Sequence, residues 1–205
     1  MCNLYRLDVP AKQIAQTFGA DPGADPWPGD YVAPGKPAPV IIRARDGMRH
    51  IVPRLWGVPP PPKAAADGGR PVTNVRNLAS PFWIGTLRHT EFRCLVPVTS
   101  FMEWGGAKGA RTQHWFTLPA EPLFAFAGIW RDSEVPSFAF LTTDANRLVG
   151  AVHPKAMPVI LQPDDHEAWL TAPWPQAQGL VAPYPSQLMS MDGAPPGSLP
   201  RTTIL

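Results

Sequence analysis

The sequence predicts an α+β fold: a single β-rich domain with an open, barrel-like antiparallel sheet and short peripheral helices. Three observations carry this expectation. Prolines number 28 in 205 residues, well above the usual share of ~5%, and proline interrupts long helices. Short apolar runs recur along the chain, bounded by Gly, Pro, Asp or Asn as strands usually are. Segments with helical periodicity are few and brief.

The elements follow in order. Asp8 is placed to cap a short helix, with Pro10 near its first turn and Gly19 past its end. Ala11, Ile14, Ala15 and Phe18 would form its apolar face. A polar connection rich in Pro and Gly runs to about Pro39. Val40, Ile42 and Ala44 then alternate with Ile41, Arg43 and Arg45, and Asp46-Gly47 leads into a second extended run over 48–52. Asp-Gly suits a tight hairpin turn, and the Arg-rich side of the first strand should be wet or face a polyanion. Pro59 to Pro62 and the small residues after them read as a loop. Further strands are expected at 94–98, 114–118, 123–129, 138–142 and 158–161. Short helices should start near Asp144 and after Pro163, where Asp164 and Asp165 favour the positive end of the helix dipole. The domain is therefore set at 1–175, with an irregular tail over 176–205.

Composition narrows the function. Hydrophobic residues make up 44% and charged residues 17%, which describes a globular chain. No apolar stretch is long enough to span a membrane, and Met1-Cys2-Asn3-Leu4 opens no signal peptide, so a cytoplasmic protein is expected. Cys2 and Cys94 are then expected to be free thiols. The net charge of +2 is unevenly spread: from Lys36 to Arg111, twelve Lys or Arg face four acids, while the remainder is acidic. A phosphate-binding face would need such asymmetry, although chance clustering of solvated arginines gives it too. CxxC and HExxH spacings are absent, so neither a metal nor an organic cofactor is expected.

Cys2 is the most informative residue. Loss of Met1 would leave it with an α-amine and a thiol on adjacent carbons. Such an amine titrates near ~7.7–8.0, so roughly a third is neutral at about pH 7.5, against about 0.1% of a surface lysine. The amine can form a Schiff base with an aldehyde, and the thiol can then close a thiazolidine ring. No internal cysteine can do this.

Several blocks resemble one family, in family order. They are Met1-Cys2-Asn3-Leu4-Tyr5, Tyr31-Val32-Ala33-Pro34-Gly35, Trp56-Gly57-Val58-Pro59 and Asn74-Val75-Arg76-Asn77. Next come the run from Arg93 to Trp104, Leu141 to Asn146, and His153 to Leu161. Together they are similar to the SOS-response-associated peptidases, also called abasic-site processing proteins. The resemblance implies that Cys2 is the mature terminus and covalent nucleophile. It implies that Asn74 orients the cysteine or the opened sugar, that Glu103 is the general acid and base, and that His153 protonates or polarises the sugar oxygen. A β-elimination or crosslink-reversal activity is implied as well. Its partner would be single-stranded DNA containing abasic sites, bound by a monomer without sequence preference. Arg54 and Arg76 are candidate phosphate contacts, Trp56 a candidate to stack on a base (core packing is the alternative), and Pro34 a candidate groove wall.

There are departures. Asn3 and Leu4 stand where the family often has Gly-Arg, leaving Arg6 as a possible substitute for that arginine. Asn77 and Leu78 replace a common acid, and Pro154-Lys155-Ala156 lengthens the stretch after His153. Two rival functions share the same residues. One is a peptidase or amidohydrolase using Cys2 with its own amine as base. The other is a DNA-binding module in which Cys2 is incidental.

Overall fold

The computed structural model describes residues 2–24, 27–107, 109–132 and 134–192. The chain runs β1 (Tyr5–Leu7), α1 (Ala11–Phe18), β2 (Ala20–Asp21), β3 (Asp30–Val32), β4 (Pro37–Arg43), β5 (Arg49–Trp56), α2 (Pro62–Ala66) and β6 (Asn74–Val75). It continues through α3 (Ile84–Arg88), β7 (Arg93–Val98), β8 (Ser100–Gly105), β9 (Thr112–Thr117), β10 (Phe124–Arg131), β11 (Ser137–Thr143) and α4 (Arg147–Gly150). The last elements are β12 (Met157–Pro158), β13 (Ile160–Leu161), α5 (His166–Thr171), α6 (Trp174–Gln178) and β14 (Ser190–Asp192).

Among the described residues the strands form two sheets. The smaller has the order β14-β9-β8-β1-β3. The larger runs β12-β11-β10-β7-β4-β5-β2 and curls until β5 meets β11 through Ser137↔Leu55 and Phe138↔Trp56. This is the predicted β-rich α+β fold with a partly ringed sheet rather than a closed barrel. Parallel pairings of β5 and β6 with β11, and of β2 with β5, interrupt the antiparallel pattern. Among the described residues no helix is long and apolar enough to cross a membrane.

The sheets are joined by aromatic packing. Tyr5 and Phe101, register partners on β1 and β8, point into the interior. The Tyr5 ring meets Trp56 at 5.3 Å, Phe126 at 6.2 Å and Phe140 at 6.4 Å between centroids. Phe101 stacks on Phe116 at 5.1 Å and meets Phe126 edge-on at 5.7 Å. Each ring removes ~150–250 Å² from water, so this contact between the sheets buries a large apolar area beside the site.

Local signals explain several elements. Gly19, left-handed at φ 59°, ends α1, and Ile14, Ala15 and Phe18 are its buried face. Pro10 rather than Asp8 occupies the N-cap; Asp8 instead receives the Arg6 guanidinium. The predicted hairpin is β4–β5, closed by Gly47 at φ 80°. On its arginine side Arg45 is exposed, while Arg43, together with Arg49 of β5, binds the Glu167 carboxylate on α5. The helix expected near Asp144 is α4, capped by Asn146, which accepts the Val149 N–H at 2.9 Å.

The boundary at 175 disappears. Trp174 and Ala177 of α6 are buried, and β14 adds to β9 through Ser190↔Thr117, Met191↔Phe116 and Asp192↔Trp115. Only residues 193–205 of the expected irregular tail lie outside the described residues.

His166 shows how tightly α5 is seated. Its ring lies 5.3 Å from Phe18, and burial, reinforced by the nearby Arg49 charge, pushes its pKa down to about 4. Protons are therefore bound by the unfolded chain but not by the folded one between about pH 6.5 and 4. Stability should fall across that window as pH is lowered, by about 3 kcal/mol in total. Urea midpoints measured at several pH values should flatten in His166→Phe; an unchanged slope there would count against the assignment.

Candidate active site

Four separate segments converge on the amino terminus. Residues 2–7 run along β8, where Leu4 O accepts the Met102 N–H at 3.0 Å and Arg6 O accepts the Thr99 N–H at 2.8 Å. Cys2 is thereby drawn inside, 1% exposed, with its Sγ 3.5 Å from Leu4 O. Burial pushes the Cys2 thiol well above its ordinary range, and the nearby Glu103 carboxylate pushes in the same direction. The Tyr5 phenol is also held protonated, by burial first and then by Cys2 and Cys94.

Asn74 arrives on β6, which pairs in parallel with β11 through Phe140↔Asn74. Its Nδ2 donates to Cys2 O at 3.3 Å and to Thr73 Oγ1 at 2.8 Å. Its Oδ1 is buried and has no hydrogen-bond partner among the described residues. An amide can accept as well as donate, so this oxygen is an acceptor beside the Cys2 backbone.

Glu103 lies on β8 two residues beyond Phe101 and so shares its inward face. It is 2% exposed. Burial raises its pKa, and the nearby His153 opposes that rise. His153 stands just beyond α4, its side chain 20% exposed. Its Nδ1 donates to Ala156 O at 3.1 Å and lies 4.0 Å from Glu103 Oε2. That separation exceeds a hydrogen bond. With the Nδ1 proton committed to a carbonyl, the neutral ring keeps its lone pair on Nε2. The site thus offers a carboxyl biased toward its acid form and an imidazole able to take or give a proton.

The candidate DNA contacts fare differently. Arg76 is exposed, and its Nη2 meets Asp144 Oδ1 at 2.5 Å. Such exposed pairs are worth little, so the guanidinium can be exchanged to a phosphate at small cost. Pro34 is exposed in the turn before Gly35. Arg54 is half-buried: Nη1 donates to Pro53 O, its guanidinium covers Trp130 at 4.6 Å, and burial lowers its pKa. Trp56 must be corrected. It is 0% exposed in the aromatic core, so as placed it stacks on no base. Its Nε1 donates to Thr73 O at 3.0 Å, holding the residue before Asn74. Arg6 is no substitute phosphate contact on this face, because it alternates with the inward Tyr5 and covers Tyr31 on the other side of the sheet.

Sequence reasoning missed several supports. Thr73 holds the Asn74 amide through its hydroxyl. Asn146 Nδ2 donates to Tyr184 O at 2.6 Å, so residues expected to be an irregular tail brace the segment bearing His153. A capping pattern, Asn followed by a short apolar turn, marked Asn146, but nothing local marked Tyr184. Among the described residues no three His, Cys, Asp or Glu side chains cluster to hold a metal ion. A cavity of about 1130 Å³ lies elsewhere, lined by residues that include Arg6, Ser100, Trp115 and His166.

Comparison with known proteins gives the family and the fold. The family model described as SOS response associated peptidase matches residues 1–193. The chain belongs to that family. Similar solved structures include a protein from Bacteroides thetaiotaomicron, with TM-score 0.78 and 21% identity over 93% of this chain and 90% of that one. One from Bordetella bronchiseptica has TM-score 0.79 and 22% identity over 94% and 99%. A phage-related protein of the same organism has TM-score 0.74 and 22% identity over 95% and 94%. At these identities the likeness shows the fold. Comparison with curated proteins finds no match.

Trp56→Phe keeps a ring in the core but removes the donor to Thr73 O. Stability should fall by about 1–2 kcal/mol, and amide exchange at Asn74 should quicken. Slower exchange, or none of this loss, would mean that the indole does not anchor β6.

Proposed function

We propose that this chain captures abasic sites in single-stranded DNA as a covalent adduct of Cys2, formed after Met1 has been removed. The observation that carries the reading is convergence: Asn74 Nδ2 sits 3.3 Å from Cys2 O, and the Glu103–His153 pair lies beside the same residue. The site would be complete around a free terminus. An α-amine there could donate to Asn74 Oδ1, which lacks a partner among the described residues.

The chemistry balances without a cofactor. The neutral amine attacks the aldehyde carbon of the opened sugar, and the resulting carbinolamine loses its hydroxyl as water, with the proton supplied by Glu103. The Cys2 sulfur then adds to the C=N carbon of the iminium, its proton returning to the Glu103 carboxylate, and the thiazolidine ring closes. One water is released overall. His153 polarises the sugar oxygen during ring opening. The thiol's raised pKa suits this order, since the amine acts first and sulfur adds to an electrophile already formed. Arg76 supports strand binding through phosphate, independent of sequence.

The family description favours a second reading, in which Cys2 serves peptide hydrolysis. Removal of Met1 is itself a peptide cleavage, consuming one water, and the two readings are compatible for that step.

Intact mass before and after incubation with abasic single-stranded DNA tests the proposal. The wild type should lack Met1 and gain the mass of the strand less one water. Cys2→Ala should form no stable adduct, and Cys2→Ser only an imine that borohydride traps. An adduct of Cys2→Ala at the wild-type rate would refute the assignment. Glu103→Gln should slow capture by about 10²–10⁴-fold, the usual worth of a general acid. The wild-type rate should rise with pH as the amine loses its proton, then fall as Glu103 ionises above the ordinary glutamate range. The falling limb should vanish in Glu103→Gln.

A further inference from the structure

The cavity of about 1130 Å³ takes no part in the chemistry around Cys2. Its walls include Arg6 on β1, Ser100 on β8, Trp115 on β9, Gln13 and Thr17 on α1, and His166 on α5. Arg6 and Ser100 are register partners, and Trp115 is the register partner of Met102. All three strand residues alternate with the inward Tyr5, Phe101 and Phe116. The cavity therefore lies on the face of the smaller sheet opposite Glu103.

Two buried nitrogens in these walls have no partner among the described residues: Trp115 Nε1 and His166 Nε2. Buried polar atoms are nearly always satisfied, so both call for one. The indole can only donate. Burial keeps the His166 ring neutral, while a bond to the Leu161 backbone works in the opposite direction. A bond of that sign is one in which the ring donates, so the unpartnered Nε2 keeps its lone pair. One donor and one acceptor match hydroxyl groups, each of which accepts and donates.

Charge narrows the choice further. Both arginines in the walls are already committed, Arg6 to Asp8 and Arg49 to Glu167. Glu121 and Asp192 add carboxylates to the same walls. An anion would gain little here and meet repulsion. The volume lies near the upper end of ordinary ligand sites, ~1,000 Å³.

We propose that this cavity is a second binding site, for an uncharged, hydroxyl-bearing small molecule of the saccharide or nucleoside kind. Its hydroxyls accept from the Trp115 indole and donate to the His166 ring. The role is independent of Cys2 and of DNA capture.

NMR of the full-length chain reads the site through the Trp115 indole N–H, assigned by its loss in Trp115→Phe. Maltose and adenosine serve as uncharged probes, with glucose 6-phosphate and adenosine monophosphate as their anionic counterparts. At least one uncharged probe should shift the indole signal saturably, with half-saturation below about 1 mM. Its phosphorylated counterpart should bind at least about tenfold more weakly. Which uncharged probe binds identifies the source. Trp115→Phe should weaken binding about tenfold, followed through the His166 ring signals. Gln13→Trp combined with Thr17→Trp fills the cavity from exposed positions on one face of α1. That double variant keeps the indole reporter and the buried core, and it should abolish the shift. No saturable shift with either uncharged probe overturns the proposal. So does tighter binding of the anionic forms, or a shift that survives the double variant.

Discussion

The Tyr5 ring, buried against Trp56, Phe126 and Phe140, is the contact on which the site depends. It lies three residues from Cys2, on the strand that links β8 to β3. A chain end ordinarily frays because few interactions restrain it. Here the aromatic contact between the sheets fixes residue 5, backbone bonds to Met102 and Thr99 fix the residues around it, and Cys2 has little freedom left. The same cluster reaches Asn74 through Trp56, whose indole holds Thr73. Packing energy in the core is thus converted into placement of a terminus and an amide.

Electrostatics in this setting follow from the burial. Desolvation raises both the Cys2 thiol and the Glu103 carboxyl, and Glu103 reinforces the shift at Cys2. A carboxyl that would be an anion in water and a thiol that is only weakly acidic are both biased toward their protonated forms. His153, partly exposed, connects this dry interior to solvent. An arrangement of that kind favours an uncharged nucleophile and a carboxyl that still holds its proton, which is the pairing needed for condensation of an amine with a carbonyl.

Much of the fold was legible locally. The β4–β5 hairpin followed from Asp46-Gly47 between extended runs, and α1 from Pro10, Gly19 and the spacing of Ile14, Ala15 and Phe18. The strands β7, β9, β10 and β11 were visible as apolar runs. The short strands β1, β6 and β14 were not, since two or three residues carry no periodicity and pair only because distant partners are present. Asp8 looked like a cap because aspartate is a common N-cap residue, but it binds Arg6; the helix expected near Asp144 is α4, capped by Asn146. For Trp56 the sequence left base stacking and core packing both open, since a motif does not report which face a side chain takes; the structure buries it.

By itself the sequence determined the fold class, the membership signalled by ordered blocks from Cys2 to Leu161, and the chemical types available: a thiol, an amide, a carboxyl and an imidazole. These are properties of residues and their local order, and they survive without coordinates. Only the tertiary structure decided that Cys2, Asn74, Glu103 and His153 meet, that Trp56 is a support rather than a platform for bases, and that Tyr184 braces the His153 segment. Those outcomes depend on contacts between residues tens of positions apart. Strand register and burial set them, and neither is encoded in any short stretch of chain.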